Sequence, residues 1–533
     1  MPTFSLSDSA LAPASLPAAN ESSRCSCRAC RSARGGGSAN DSTAPIRPLA
    51  AGSGSPVVDT IIASTDSGAP DKWPVGPGGT ITYSFISPAT VNTYNASQDE
   101  TNIQEVEESV KNNVRAIFRH YSEIVPLNFV EVADSADSKV RIVYSQGPGP
   151  EGNAYAYYPS NPDRGGVVHL QPANNSDPST AFTAGPGSYG YSTLIHEIGH
   201  ALGLKHPGNY NATANQDPGQ PAENAGEEPF LDSARDNIVN TIMSYNGDAQ
   251  QDKGFADPST LMALDIAALQ FMYGTNRGSR AENTTYRLDS SNLRTVQAIW
   301  DGGGNDTVDA SALPAGDYLF DLIDNGRLTE RAALGARIYK GKNEPDGPDY
   351  QDMGYGWVVG IGANLENVVG TAGTDEILGN ALPNVLQGGA GNDQISGRIG
   401  PDTLDGGAGN DLLRGGFGFD VLIGGPGDDI LSGDRGRDQL TGGDGADIFV
   451  LRTSTPAPTP EVTDILTDFT PGVDRIGLTD GFSPSAVAYA PFSLNGQAGT
   501  MMSIAGSSNA FLAFVPGVGA DAIGAALIAS PVP

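Results

Sequence analysis

Cysteine is almost missing from this chain of 533 residues. Its three cysteines, Cys25, Cys27 and Cys30, fall within the first fifty positions, so no disulfide can staple anything downstream. Basic residues are also scarce, 30 Lys and Arg against 62 Asp and Glu, for a formal net charge of −32. A surface that acidic is repelled by phosphate backbones, which excludes nucleic acid as a partner. No apolar run is long enough to span a bilayer, so no membrane span is expected. The opening, Met1 to Asn20, lacks a basic start followed by a sustained apolar stretch and does not read as a secretory signal peptide. Glycine is plentiful, 69 residues, but keeps no three-residue period over most of the chain, which excludes collagen. With 38% apolar residues and this length, several domains with at least one proper core are expected.

The charge is uneven. Residues 1–50 hold Arg24, Arg28, Arg31, Arg34 and Arg47 against Asp8, Glu21 and Asp41, so the acidic excess lies wholly downstream. Residues 1–70 read as a disordered leader, rich in Ser, Ala, Pro and Gly. Its Cys-x-Cys-x-x-Cys cluster has no partner histidines and reads as a reactive arm rather than a metal site. Structure is expected to start near Asp71. Thr80–Phe85, Leu127–Val132, Val140–Tyr144 and Gly165–Leu170 read as strands. Apolar residues Ile103, Val106, Val110, Val114, Ile117 and Phe118 predict an amphipathic helix over about 100–121. Two more helices are expected at about 192–204 and 259–273, giving a mixed α and β domain over 71–275. After Gly274 glycine and aspartate rise and helical periodicity vanishes, which marks a boundary.

His196-Glu197-Ile198-Gly199-His200 followed by Gly203 and His206 carries the chemistry. On a helix, His196 and His200 lie one turn apart on one face and can reach one ion. Gly203 can end the helix in the left-handed conformation and turn the chain back to deliver His206 as third ligand. Zinc takes neutral imidazole nitrogen and in catalytic sites keeps a position open for water. Glu197 beside the first ligand can take a proton from that water. Three of only five histidines occupying the three ligand positions is far more specific than a bare His-Glu-x-x-His. His120 and His169 have no such support and read as packing or surface residues. No Gly-x-x-x-x-Gly-Lys-Ser/Thr nucleotide loop is present.

From Gly370 to Val450 the chain repeats every nine residues, through nine units. Position one is always Gly, and position six is Asp in eight units, with Asn384 the exception. Position eight is always apolar: Ile377, Leu386, Ile395, Leu404, Leu413, Leu422, Leu431, Leu440 and Phe449. Each unit reads as a tight turn followed by a short strand, with position eight packed inward against the next coil. A flexible linker has no reason to keep that apolar position. Calcium wants six to eight oxygens, which stacked turns can supply as carbonyls and carboxylates. The candidate ligands are Gly388, Gly389, Gly391, Asp393, Asp402, Gly406, Gly407, Gly409, Asp411, Asp420, Gly424, Gly425, Gly427, Asp429, Asp438 and Asp447.

The zinc motif is that of the metzincin peptidases, and Thr241-Ile242-Met243-Ser244-Tyr245 resembles their Met-turn. With Ser188-Tyr189-Gly190-Tyr191 before the motif and His206-Pro207-Gly208 closing it, the chain resembles the serralysin branch. The array resembles the calcium-binding nonapeptide of RTX proteins. The resemblance implies an α+β metzincin catalytic domain followed by an all-β parallel β-roll over 276–480, one catalytic zinc and several structural calcium ions. It implies that Met243 floors the zinc ligands and that Tyr245 both ligates resting zinc and stabilises the oxyanion. Arg280, Glu282 and Thr284 with Asp301, Gly303 and Asp306 would form an early calcium site, and Glu366 would serve a neighbouring one. Asn364 stands where the family has Thr, and 340–355 reads as an inserted loop. The expected function is a secreted monomeric zinc endopeptidase acting on proteins or peptides, its leader a propeptide and residues 481–533 a type I secretion signal. Ser530 to Pro533 depart from the family's usual terminus. The alternative is a calcium-dependent adhesion protein whose peptidase domain is vestigial, against which the undamaged motif argues.

Overall fold

The computed structural model describes residues 53, 55–65, 68–91, 101–146, 154–161, 164–171, 181–208, 231, 236–244, 256–330, 337–339, 350–351 and 356–531. The first domain is built on a six-stranded sheet. Its strands are β1 (Thr80–Phe85), β2 (Thr101–Gln104), β3 (Asn128–Glu131), β4 (Val140–Gln146), β5 (Ala154–Ala156) and β6 (Val167–Leu170). The order is β3-β1-β4-β6-β5, with β2 pairing β4. β1, β3, β4 and β6 run parallel, and β5 is an antiparallel edge.

Four helices pack with this sheet: α1 (Pro56–Asp59), α2 (Glu108–Ile124), α3 (Tyr189–Ala201) and α4 (Ala263–Tyr273). α2 buries Val110, Val114, Ile117, Phe118, Tyr121 and Ile124, a stripe at helical spacing. It starts later than the periodicity suggested, because Thr101–Gln104 pairs instead with the edge of β4. A second correction concerns the leader. Residues 55–65 fold onto the domain, with Ser55 capping α1 and Ile61, Ile62 and Ala63 buried. The leader cysteines lie outside the described residues. Among the described residues no helix is long and apolar enough to cross a membrane.

α4 ends at Gly274, whose φ of +93° turns the chain toward the second domain. There, two 11-stranded sheets face each other. Successive units alternate between the sheets, so each coil takes 18 residues. One sheet stacks Ile377, Ile395, Leu413, Leu431 and Phe449 in parallel register, and the other Leu386, Leu404, Leu422 and Leu440. All nine position-eight side chains are buried. The sheets continue past residue 480. An antiparallel meander of Val487–Leu494, Gln497–Ile504 and Phe511–Pro516 joins one through the pairing of Phe511–Pro516 with Asp464–Leu466, and Leu527–Ala529 extends the other. The stretch expected as a secretion signal therefore closes the end of the roll. Most of the loop expected at 340–355 lies outside the described residues.

Candidate functional site

The three histidines of the motif meet at one point. His196 and His200 project from one face of α3, and Gly203 at φ +104° reverses the chain behind them. A Cβ at Gly203 would collide with the Asp71 carbonyl, so the turn needs glycine for space as well as for φ. His206 then returns so that its Nε2 lies 3.0 Å from that of His196 and 3.1 Å from that of His200. His196 Nδ1 lies 2.8 Å from the Ile242 carbonyl and His200 Nδ1 2.7 Å from the Leu204 carbonyl. A carbonyl can only accept, so each Nδ1 carries the proton and each Nε2 presents a lone pair. Burial holds His196 down to about 4, and burial plus mutual repulsion hold His200 and His206 well below the usual imidazole value. With the lone pairs of His196 and His200 fixed on this point and His206 Nε2 beside both, one cation can be reached by all three rings. This donor set fits zinc.

Around this point the backbone is anchored from several elements. Buried Asp265 of α4 accepts from Thr241 Oγ1 (2.5 Å), Ile242 N (2.8 Å) and Met262 N (2.9 Å). The fully buried Met243 lies under α3, where a Cβ on Gly199 would meet its sulfur at 3.1 Å. The last carbonyls of α3, which have no partner within the helix, are taken by Trp73 Nε1 (Ala201 O, 3.0 Å) and Tyr273 Oη (Leu202 O, 2.8 Å). Ala63 N donates to Gly203 O at 2.9 Å and Lys205 N to Ile61 O at 2.8 Å, which pins the segment just before His206. Glu197 is buried beside its histidine neighbours.

In the roll, one carboxylate oxygen of each position-six aspartate from Asp393 to Asp447 accepts a backbone N–H from the residue 18 positions earlier. Asp375 N to Asp393 Oδ1 (2.8 Å), Asp393 N to Asp411 Oδ1 (2.7 Å) and Asp411 N to Asp429 Oδ1 (2.8 Å) form one ladder. Asn384 N to Asp402 Oδ1 (2.8 Å), Asp402 N to Asp420 Oδ1 (2.9 Å) and Asp420 N to Asp438 Oδ1 (2.9 Å) form the other. The second oxygen of Asp393, Asp402, Asp411, Asp420, Asp429, Asp438 and Asp447 is buried with no hydrogen-bond partner. A Cβ on Gly388 would collide with Asp393 Oδ2 and come within 2.6 Å of the Gly406 carbonyl, so glycine leaves an oxygen-lined cradle there. Buried carboxylate oxygens beside carbonyls suit a hard cation such as calcium.

A family model of matrixin matches residues 88–216, and one of the RTX calcium-binding nonapeptide repeat matches 369–404, 387–422 and 423–451. The chain is 29% identical to serralysin of Proteus mirabilis over 61% of this chain and 64% of that protein. It is 28% identical to metalloprotease AprA of Pseudomonas entomophila over 58% and 60%, and 30% identical to metallopeptidase AprA of Pseudomonas marginalis over 58% and 61%. The chain is thus similar to the serralysins, with a matrixin-like first part and RTX repeats in the second. It spans about 60% of the length of these curated relatives. The serralysin type carries a catalytic zinc, which His196, His200 and His206 would hold, and structural calcium, which the cradles would hold.

Among the residues expected at an early calcium site, Thr284 N donates to Asp306 Oδ1 (2.6 Å) and Asp306 N to Glu366 Oε2 (2.8 Å), so Asp306 and Glu366 are joined. Gly303 N donates to Asp301 Oδ1 at 3.0 Å, and a Cβ on Gly304 would lie 2.7 Å from both Asp306 Oδ1 and the Glu282 carbonyl. Burial and the charges of Asp301 and Glu366 raise Asp306 to about 6. The Arg280 guanidinium pairs with Glu123 at 3.0 Å and also donates to Tyr286 Oη at 3.3 Å, whose hydroxyl donates to Asp301 Oδ2 at 2.6 Å. Tyr245 lies outside the described residues. His120 accepts from Leu261 N and His169 stacks on Tyr155, so neither joins the zinc ligands. Sequence reasoning missed Asp265, Trp73, Tyr273 and the 61–63 strap. The one local signal was Asp265 three residues after Met262, which closes the first turn of α4.

Proposed function

We propose that the chain is a secreted zinc endopeptidase that hydrolyses internal peptide bonds of protein substrates. The observation that supports this most strongly is the convergence of three buried histidine Nε2 atoms, two of their rings held by backbone carbonyls, beside the buried Glu197. Zinc bound there supplies Lewis acidity, which acidifies a water and polarises the carbonyl to be attacked. Glu197 takes the proton of the attacking water and delivers it to the leaving amine. The three imidazoles stay neutral because burial opposes their protonation. The phenol of Tyr245 would donate to the oxyanion that develops in the transition state. Met243 supplies an apolar floor.

Replacing Glu197 with Ala should lower cleavage of casein by at least about 10²-fold, the reach of general base catalysis, and leave the zinc content unchanged. Full activity in that variant would sink the mechanism. A casein zymogram run with and without a zinc chelator separates this reading from a calcium-dependent adhesion protein with a vestigial peptidase domain. The working form is proposed as an extracellular monomer exported by a type I secretion apparatus. Cradles of this kind fill at roughly 10⁻⁴–10⁻³ M calcium, a level met outside cells.

A further inference from the structure

The two rows of turns in the roll differ. One row carries Ala390, Asn392, Ala408, Asn410, Pro426 and Asp428 at the third and fifth positions of its units, and the other carries Ile399, Phe417, Phe419, Arg435 and Arg437. Both rows have the aspartate cradles, so holding calcium does not call for the aromatics. Ile399, Phe417 and Arg435 are register partners on neighbouring strands and form a single file along the roll axis. Ile399 and Phe417 are each 55% exposed and Phe419 67%. Exposed apolar groups gathered this way mark an interaction site more often than scattered ones do.

The cations of this row are equally unusual. Arg398, Arg414 and Arg452 pair with Asp321 or Asp434. Arg435 sits 5.0 Å from the Phe417 ring centroid, and neither it nor Arg437 has an ion-pair partner among the described residues. In a chain with two acids for each base, unpaired arginines on an apolar strip are complementary to an external anion. A cavity of about 330 Å³ opens beside the strip, lined by Phe419, Arg435, Arg452, Pro456, Val462 and Phe511 among others. That is the lower end of the ~300–1,000 Å³ of small-ligand pockets, with room for one aromatic or branched side chain. Asp434 and Asp464 also line it, but Asp434 is held by Arg414, Arg452 and Ser432 and Asp464 accepts from Asp438 N, which leaves Arg435 uncommitted.

We propose that this row and its cavity bind an acidic peptide segment of a partner protein. An aromatic or branched side chain enters the cavity, and carboxylates flanking it pair with Arg435 and Arg437. A second copy of the chain and an anionic membrane are the other occupants that the test below distinguishes.

The test uses the full-length, calcium-loaded protein carrying Glu197→Ala so that probes stay intact, which mass spectrometry checks. Two dye-labelled synthetic peptides, one alternating glutamate with phenylalanine and leucine and one with lysine in place of glutamate, are titrated by fluorescence anisotropy at fixed free calcium. The acidic peptide should bind at least about tenfold tighter and weaken with added salt. Phe417→Ser with Phe419→Ser should cost about tenfold or more in affinity, near the value of one well-buried aromatic contact. Arg435→Glu with Arg437→Glu should reverse the preference between the peptides, which loss of folding cannot do. Equal affinity for both peptides, or binding unchanged by both variants, would overturn the proposal. So would row-dependent binding to anionic lipid vesicles without peptide binding, or a dimer in sedimentation that the Phe→Ser changes abolish.

Discussion

His196 owes its orientation to a relay that begins at Asp265. The carboxylate accepts the Ile242 N–H at 2.8 Å, and the carbonyl of the same residue accepts from His196 Nδ1 at 2.8 Å. Burial lifts Asp265 to about 6 although three donors pull it down, so desolvation is the dominant effect on this group. Asp265→Asn keeps the shape but turns an amide N–H₂ toward one of those donors. The loss of one such bond costs about 1–3 kcal/mol, and a loosened outer partner of a metal ligand typically costs ~10–100-fold in metal affinity. Competition with a chromophoric chelator should show that fall in zinc affinity, and an unchanged value would refute the relay. The ligands themselves were legible because their spacing is a property of one helix and one turn. Asp265, Trp73 and Tyr273 were not, because they reach the site only through tertiary packing from segments far away in the chain.

At the scale of elements, the strap at 55–65 is the least expected part of the zinc site. Pro and Gly punctuation made this stretch resemble a leader, yet Ile61 and Ile62 are buried, each worth about 1.5–3 kcal/mol, and the strap pairs with the segment before His206. Ala63→Pro deletes the N–H that Gly203 O accepts, and it should lower the unfolding free energy by about 1–3 kcal/mol and weaken zinc retention. Both are read from a melt followed by metal analysis. It follows that any maturation cut leaves the strap attached. N-terminal sequencing of the active protein should give a start at or before Ser55, and an active form starting near Asp71 would contradict this. The same element shows why periodicity misplaced the start of α2. Ile103 and Val106 fit helical spacing, but the backbone of Thr101–Gln104 is satisfied at the edge of β4 instead. The roll was far more legible, since all nine position-eight residues announced by the repeat are inside.

For the whole molecule, part of the net charge of −32 is a stack of buried aspartates in the roll. Burial raises Asp393 and Asp402 to about 7 and Asp420, Asp429 and Asp447 to about 6. These values lie above the roughly 3.9 of an unfolded aspartate, so without calcium the folded roll binds protons more tightly than the unfolded chain. Their stabilising contribution is full below about pH 4 and is lost as pH rises through 6 to 7. A calcium-stripped roll should therefore melt at a higher temperature near pH 5 than near pH 8. With calcium present the order reverses, because the ion needs ionised carboxylates and competes with protons for the same oxygens. In the loaded protein, stability should rise with pH through the same window, and the midpoint of a calcium titration should fall. Leu413→Ala, which opens a cavity between coils at a cost of ~2–5 kcal/mol, should shift that midpoint to higher calcium without altering the pH order. Circular dichroism melts near pH 5 and pH 8, with calcium removed and restored, decide the matter. The same order in both conditions would mean that protons and calcium do not share the aspartates, and the cradles would lose their role as the calcium sites.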